Sequence, residues 1–354
     1  IIFARADKDA EMHALAGRSR VIANFAGTPF GDKALPVVAA CAEKGTCYID
    51  ITAEVPFMRT SAERYNDKAQ ETGALIVHAC GYDSIPYDLG AMLAAKEMAK
   101  RHGVKCTKIR GFASNSSGSF SGGTINTILD LLNDDDPAFW DPYALDPNGR
   151  QGPDEDDFGG VGLWPQQEKV GSLSTWAVPG AMAMANARVV RRSNALSGYS
   201  YGEKMSYGEL TAVPGFAPGL IVAGVFSLAV AAGSSRSLRE GLRRVLPQPG
   251  DGPSRESRAR GYFETYTVAE GESKAGEQPP MVVARVSSGS AGDPGYNATA
   301  LMAMESALCC ALDRHKCLPT GGVVTPAWGL GMALVDRLNA SGMQLSVDPE
   351  IEVA

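Results

Sequence analysis

Ala74-Leu75-Ile76-Val77-His78-Ala79-Cys80-Gly81-Tyr82-Asp83-Ser84-Ile85-Pro86-Tyr87-Asp88-Leu89-Gly90 is the stretch that decides the fold. Its first six residues are apolar at nearly every position, as in a strand covered on both faces. Gly81 then forces a turn, Pro86 suits the first turn of a helix, and the amphipathic run 85–101 ends at Gly103. The segment therefore reads strand, turn, helix. Working outward, the same unit recurs. Residues 21–25, likewise apolar at nearly every position, read as a strand covered on both faces, Gly27-Thr28-Pro29 as a turn, and 34–43 as a helix ended by Gly45. Residues 47–51 are a strand and 55–70 a helix closed by Gly73; at the start, 1–4 read as a strand and 7–15 as a short helix. Strands alternating with helices of roughly 10–15 residues predict βαβ units and a parallel sheet.

The pattern changes after Lys105. Residues 105–115 read as a strand and 122–132 as a helix begun at Gly122-Gly123. Acidic, Pro-rich runs at 134–137 and 153–157 read as solvated loops, without the alternating oxygen spacing of a calcium loop. Strands return at 262–268 and 281–286, followed by helices at 298–313 and 325–338 and a last strand at 344–347. The expected organisation is a partial Rossmann-like domain (1–104), an inserted α+β substrate or dimerisation domain (105–318), and a C-terminal helix returning to the first domain (319–354). The fold class is α/β, and no internal repeat is present.

The chain has 354 residues, with 33 basic against 40 acidic side chains for a net charge of −7. That balance excludes a general nucleic-acid binder. Seven cysteines without the spacing of a disulfide framework point to reduced thiols in an intracellular, reducing compartment. The chain opens Ile1-Ile2-Phe3, with no initiator Met and no signal-peptide pattern, so its start is read as lying inside a longer protein.

A dinucleotide site would need G-x-G-x-x-G directly after the first strand, so that backbone N–H groups meet the pyrophosphate. None occurs there. Gly329-Leu330-Gly331 follows no strand, and its glycines read as close helix packing. Three βα turns do leave the carboxyl ends of strands, where open α/β sheets bind ligands: Asn24-Phe25-Ala26-Gly27-Thr28-Pro29, Asp50-Ile51-Thr52-Ala53-Glu54 and Cys80-Gly81-Tyr82-Asp83-Ser84. The plainer reading is that the glycines and prolines shape turns, while Asp83 or Ser84 caps the next helix. Cys309, Cys310, His315 and Cys317 lack zinc spacing, so no metal is expected. Arg188, Arg191 and Arg192 read as a solvated basic face, or as a phosphate or headgroup site. His78 reads as a satisfied core residue, and no Ser/His/Asp arrangement is legible.

The three turns, together with 121–124, 188–193, 249–254, 292–296 and 321–326, resemble the saccharopine dehydrogenase-like oxidoreductases. That family includes trans-acting enoyl reductases and animal lipid-droplet homologues. The resemblance spans nearly the whole chain. It implies an NAD or NADP cofactor and hydride transfer to a double bond or imine of a small-molecule or lipid-like substrate held between two domains. It also leaves Asn24, Gly27, Thr28, Pro29, Asp50 and Glu54 as the cofactor candidates, while the position of the third turn at the carboxyl end of a strand makes Tyr82, Asp83 and Ser84 the candidates near the substrate, with Tyr82 the candidate proton donor. The family's opening strand, Gly-rich turn, first helix and second strand have no counterpart here. Either they precede Ile1 or they have been lost. Loss would favour the alternative of a non-catalytic scaffold or accessory subunit on a membrane or in a larger assembly.

No charged residue lies between Glu209 and Arg236. The run 219–233 is open to three readings: a buried core helix, a span shortened by Pro214 and Pro218, or an interfacial segment. Arg236, Arg239, Arg243 and Arg244 interleave with Leu238, Leu242 and Leu246, which makes 210–246 a candidate contact for an anionic membrane or lipid-droplet surface. The organelle is not legible.

Overall fold

The computed structural model describes residues 2–26, 30–117, 140–149, 157, 158, 160, 162, 164–170, 173–233, 235, 241 and 252–348. Two sheets organise them. Sheet A contains β1 (Val21–Asn24), β2 (Cys47–Asp50), β3 (Leu75–Val77) and β10 (Gly322–Val324), all parallel, in the order β1-β2-β3-β10. Helix α1 (Asp9–Ala16) precedes β1, α2 (Gly31–Lys44) and α3 (Val55–Thr72) connect β1 to β2 and β2 to β3, and α4 (Ile85–His102) leads from β3 out of the sheet. The apolar runs in β2 and β3 are explained by what each face meets. Cys47, Ile49, Leu75 and Val77 enter one core, whereas Tyr48 and Ile76 enter a second one beneath α2 and α3. With both faces covered, neither strand needs a polar side. β1 is the outer strand and only half-buried, and Phe25 is 49% exposed, so the expectation that 21–25 is covered on both faces does not hold there. Residues 2–4 form no strand, and Phe3 is 93% exposed. A short apolar run becomes a strand through ladder hydrogen bonds, and no described strand lies beside it.

Sheet B is mixed, ordered β11-β9-β8-β4-β7-β6-β5. It comprises β4 (Cys106–Ser117), β5 (Gln166–Val170), β6 (Leu173–Pro179), β7 (Ser206–Val213), β8 (Tyr262–Gly271), β9 (Met281–Ser287) and β11 (Gln344–Asp348). Only the β4–β7 pair is parallel. Helix α5 (Ala183–Leu196) packs on β7, α6 (Phe216–Gly233) follows it, and α7 (Arg255–Arg260) leads into β8. After α8 (Thr299–Leu312), the chain returns to sheet A through β10 and then crosses to sheet B at β11. Helix α4 lies between the sheets: one continuous core runs from Leu75 and Val77 through Met92 and Met98 to Ala269, Val282 and Ala284.

The helix expected over 325–338 is two helices, α9 (Pro326–Gly329) and α10 (Gly331–Ala340). Their glycines differ in role. A Cβ on Gly329 would stand 2.5 Å from Val324 Cγ2, which is close packing as expected, whereas Gly331 adopts φ +52 with open space around it and breaks the helix. The helix expected over 122–132 and the four arginines 236, 239, 243 and 244 lie outside the described residues.

Candidate active site

The turn after β3 is where the two sheets meet. Asp50, at the carboxyl end of β2, sets its start: Oδ1 accepts from Ala79 N at 3.2 Å, and the Asp50 carbonyl accepts from Cys80 N at 2.8 Å. These bonds hold Ala79 at φ +60, a conformation that costs a residue with a side chain on the order of 1 kcal/mol. The Gly81 carbonyl then accepts from Ser84 N and Ile85 N, and α4 begins. Tyr82 ties the turn to the other half of the molecule. Its N–H donates to Thr299 Oγ1 at 3.1 Å, and its ring lies 4.6 Å from that of Phe263 on β8. Ser84 is the N-cap residue of α4, yet its side chain makes no capping bond there. Its hydroxyl instead donates to Asn186 Oδ1 on α5 at 2.8 Å, and Asn186 Nδ2 donates to Glu209 Oε2 on β7 at 2.8 Å. The expected cap is thus a link between domains.

Two carboxyl groups face this seam in different states. Asp83 is half-buried and accepts no hydrogen bond from any described residue; desolvation alone raises its pKa to about 6. Glu209 is 2% exposed, and burial raises it to about 8. The Asn186 bond opposes that rise, while the charges of Asp83 and Asp157 add to it. Tyr207, two residues earlier on the same face of β7, has a buried hydroxyl with no hydrogen-bond partner among the described residues. Burial holds the Tyr82, Tyr87 and Tyr207 phenols firmly protonated. Gly111 on β4 makes room for them, since a Cβ there would lie 2.8 Å from Tyr87 Cδ1 and 3.0 Å from the Tyr207 hydroxyl. Near neutral pH the site therefore presents one ionised carboxylate and one neutral acid, a division of roles that environment alone creates.

Tyr82, Asp83 and Ser84 are brought together here, as the sequence places them. The cofactor candidates are not gathered with them. Asn24 donates to the Tyr48 hydroxyl at 3.0 Å and accepts from Ala26 N at 3.1 Å. Asp50 is fully buried, accepting from Thr52 N at 3.1 Å and from His78 Nδ1 at 2.7 Å, and His78 Nε2 meets Ser61 Oγ at 2.8 Å. His78 is thus the satisfied core residue expected. It also completes a Ser–His–Asp series that the sequence conceals, with all three members closed to solvent. Glu54 accepts from Phe30 N at 2.8 Å and Gly31 N at 3.1 Å, capping α2. Gly27, Thr28 and Pro29 lie outside the described residues.

Sequence reasoning missed Glu209, Asn186 and Tyr207. Its one usable signal was Glu209 as the last charge before a long uncharged run. The reading of Arg188, Arg191 and Arg192 as a solvated face is overturned: they are 1%, 4% and 6% exposed. Arg188 and Arg191 clamp Asp157, which is itself buried rather than part of a solvated loop. Arg192 donates to the carbonyls of Leu145 at 2.7 Å and Val323 at 2.6 Å. Beside them Asp88 accepts from Ser193 Oγ and from Ala327 N, joining α4, α5 and α9. The seven cysteines are buried free thiols, and no metal-binding group of His, Cys, Asp or Glu occurs among the described residues.

A dinucleotide at the carboxyl edge of sheet A would meet an α2 N-terminus whose first amides already hold Glu54, so that helix offers no phosphate cradle. Among the described residues the edge fits the nicotinamide end of such a cofactor, beside the partnerless Asp83, and not its pyrophosphate.

No family model matches the chain. Over 368 residues it is 39% identical to a Mycobacterium tuberculosis protein named as a trans-acting enoyl reductase, covering 98% of this chain and 84% of the other. A trans-acting enoyl reductase of Mycobacterium leprae is 35% identical over 367 residues, covering 97% and 84%. Among solved structures, saccharopine dehydrogenase (L-Glu forming) of Saccharomyces cerevisiae superposes with a TM-score of 0.52 at 10% identity, covering 98% of this chain and 89% of that one. That superposition shows a shared fold. The chain belongs to the family of the trans-acting enoyl reductases, which are oxidoreductases, and it shares its fold with saccharopine dehydrogenase.

Proposed function

We propose that the protein is a nicotinamide-dependent reductase that saturates a carbon–carbon double bond of a lipid-like acyl substrate bound between the 80–84 turn and β7. The observation that carries this reading is the seam itself. It holds a partnerless Asp83 and a buried, neutral Glu209, contributed by different sheets and linked through Ser84 and Asn186. The names of the mycobacterial relatives support an enoyl group over an imine. The cofactor, NADPH or NADH, supplies the hydride when bound. The chain's own part is to orient the acyl group, exclude water and provide the proton. The test is a fluorescence titration with NADPH and NADH, then consumption of the bound form on adding a medium-chain 2-enoyl thioester. Micromolar binding with turnover is expected; absence of both sinks the reading.

A lipid surface is the partner that a second observation favours. In α6, Ile221, Val225 and Leu228 are 69%, 64% and 70% exposed, so it is not the buried core helix that the sequence allowed. No helix among the described residues is long and apolar enough to cross a membrane. The four arginines that follow α6 in sequence would complement an anionic headgroup layer. Docking there would place the reductase beside lipid-like substrates, on a membrane, a lipid droplet or a larger synthetic assembly in a reducing compartment. Flotation with anionic liposomes is expected, and an R236E/R239E/R243E/R244E variant that floats equally well removes the idea.

A further inference from the structure

We propose that Glu209 is the acid that delivers the proton in this reduction. The inference rests on the reductase reading above and names a residue that reading leaves open. Three observations carry it. First, Glu209 is fixed: Asn186 holds Oε2, Ser84 holds Asn186, and the backbone carbonyl of Glu209 accepts from Gly180 N at 3.0 Å. Second, the other carboxyl oxygen has no hydrogen-bond partner among the described residues, so its proton has a direction in which to leave. Third, burial keeps the group neutral, and the charges of Asp83 and Asp157 reinforce this. Tyr207 faces it from its own strand, Tyr82 and Asp83 from the turn and Tyr87 from α4, all phenol or carboxyl. Of the three cations on α5, Arg188 and Arg191 are committed to Asp157 and Arg192 to the carbonyls of Leu145 and Val323.

The step balances. A bound reduced nicotinamide would supply the hydride at the carbon remote from the thioester, while Glu209 gives its proton to the adjacent carbon. The products are a saturated thioester, an oxidised nicotinamide and a Glu209 carboxylate, which recovers a proton from water. Tyr82, which the sequence favours as donor, is the poorer acid, since burial raises its phenol further above neutrality. An acid matched to the working pH transfers a proton more readily, typically contributing about a hundredfold or more.

The first measurement needs no cofactor or substrate. Infrared difference spectra of the whole chain, wild type against E209Q, should show the carbonyl stretch of a neutral carboxylic acid at pH 7. That band should vanish with a midpoint near pH 8. Its absence at pH 7 overturns the proposal, whatever the protein reduces. The second uses NADPH and a 2-octenoyl thioester. Wild-type kcat/KM should fall above about pH 8, and E209Q should be about a hundredfold slower or worse at pH 7 with NADPH affinity unchanged. E209D should recover part of the rate. E209Q turning over at the wild-type rate overturns the donor role alone, whereas a wild type that neither binds NADPH nor reduces the probe overturns the reductase reading.

Discussion

Asp50 and Asp83 stand at the carboxyl ends of neighbouring strands of one sheet, and their surroundings make opposite use of them. Asp50 is enclosed and saturated: His78, Thr52 N and Ala79 N all donate to its carboxylate. Asp83 is half-buried, desolvated and without a donor, and its pKa rises to about 6. Enclosure with bonds makes a carboxylate a joint of the fold; enclosure without them leaves free energy that a ligand or a proton can use. The Ser61–His78–Asp50 series shows the same thing from the other side. Its residue types are those of nucleophilic catalysis, but nothing reaches the serine.

The comparison can be broken in order of expected effect. Asp50→Ala should cost about 4 kcal/mol, because it strands a buried imidazole and two buried N–H groups. Urea denaturation followed by circular dichroism measures this, and a loss below about 1 kcal/mol would make Asp50 no joint at all. Next comes pH. The folded pKa of Glu209 is raised, so its favourable contribution is present at low pH, below its unfolded value, and is lost as pH rises toward about 8. Asp83 and Asp88, raised to about 6 and about 7, act in the same direction. At about 1.4 kcal/mol per pH unit for each such group, the wild type should therefore lose several kcal/mol between pH 5 and 8, and E209Q distinctly less. Equal slopes would mean that Glu209 is ionised throughout.

Gly111→Ala should cost about 1–3 kcal/mol, since the new methyl meets Tyr87 and the Tyr207 hydroxyl; a neutral result in thermal melts would mean that those rings move aside freely. Asp83→Asn is the sharpest contrast. With no bonded donor to lose and a desolvated charge removed, the variant should be more stable by at least about 1 kcal/mol at pH 7, while enoyl turnover falls at least tenfold. Tyr82→Phe should be smaller still in stability, and unchanged turnover in that variant would remove the tyrosine from the chemistry.

Much of sheet A was legible in the chain because its signals are local. Gly45, Gly73 and Gly103 close three helices in left-handed conformations, and Pro56 and Pro86 stand in the first turns of α3 and α4. The turn that carries Tyr82, Asp83 and Ser84 follows from the same punctuation. The rest of the site was not legible, because its partners lie far apart: Ser84 meets Asn186 across 102 residues, and His78 meets Asp50 across 28. The arginines of α5 were misjudged for the same reason. Charge is a property of a residue, but solvation belongs to its position, and Asp157, 31 residues from Arg188, cannot be assigned to it from spacing.

What the sequence determined by itself, then, is the alternation of strand and helix, the parallel sheet and the turn at its carboxyl edge, since hydrophobic period and turn chemistry act over a few residues. Only the tertiary structure decided which carboxyl groups are bonded and which are merely buried. That depends on donors brought in by other strands and helices, and on a dielectric that no single segment creates.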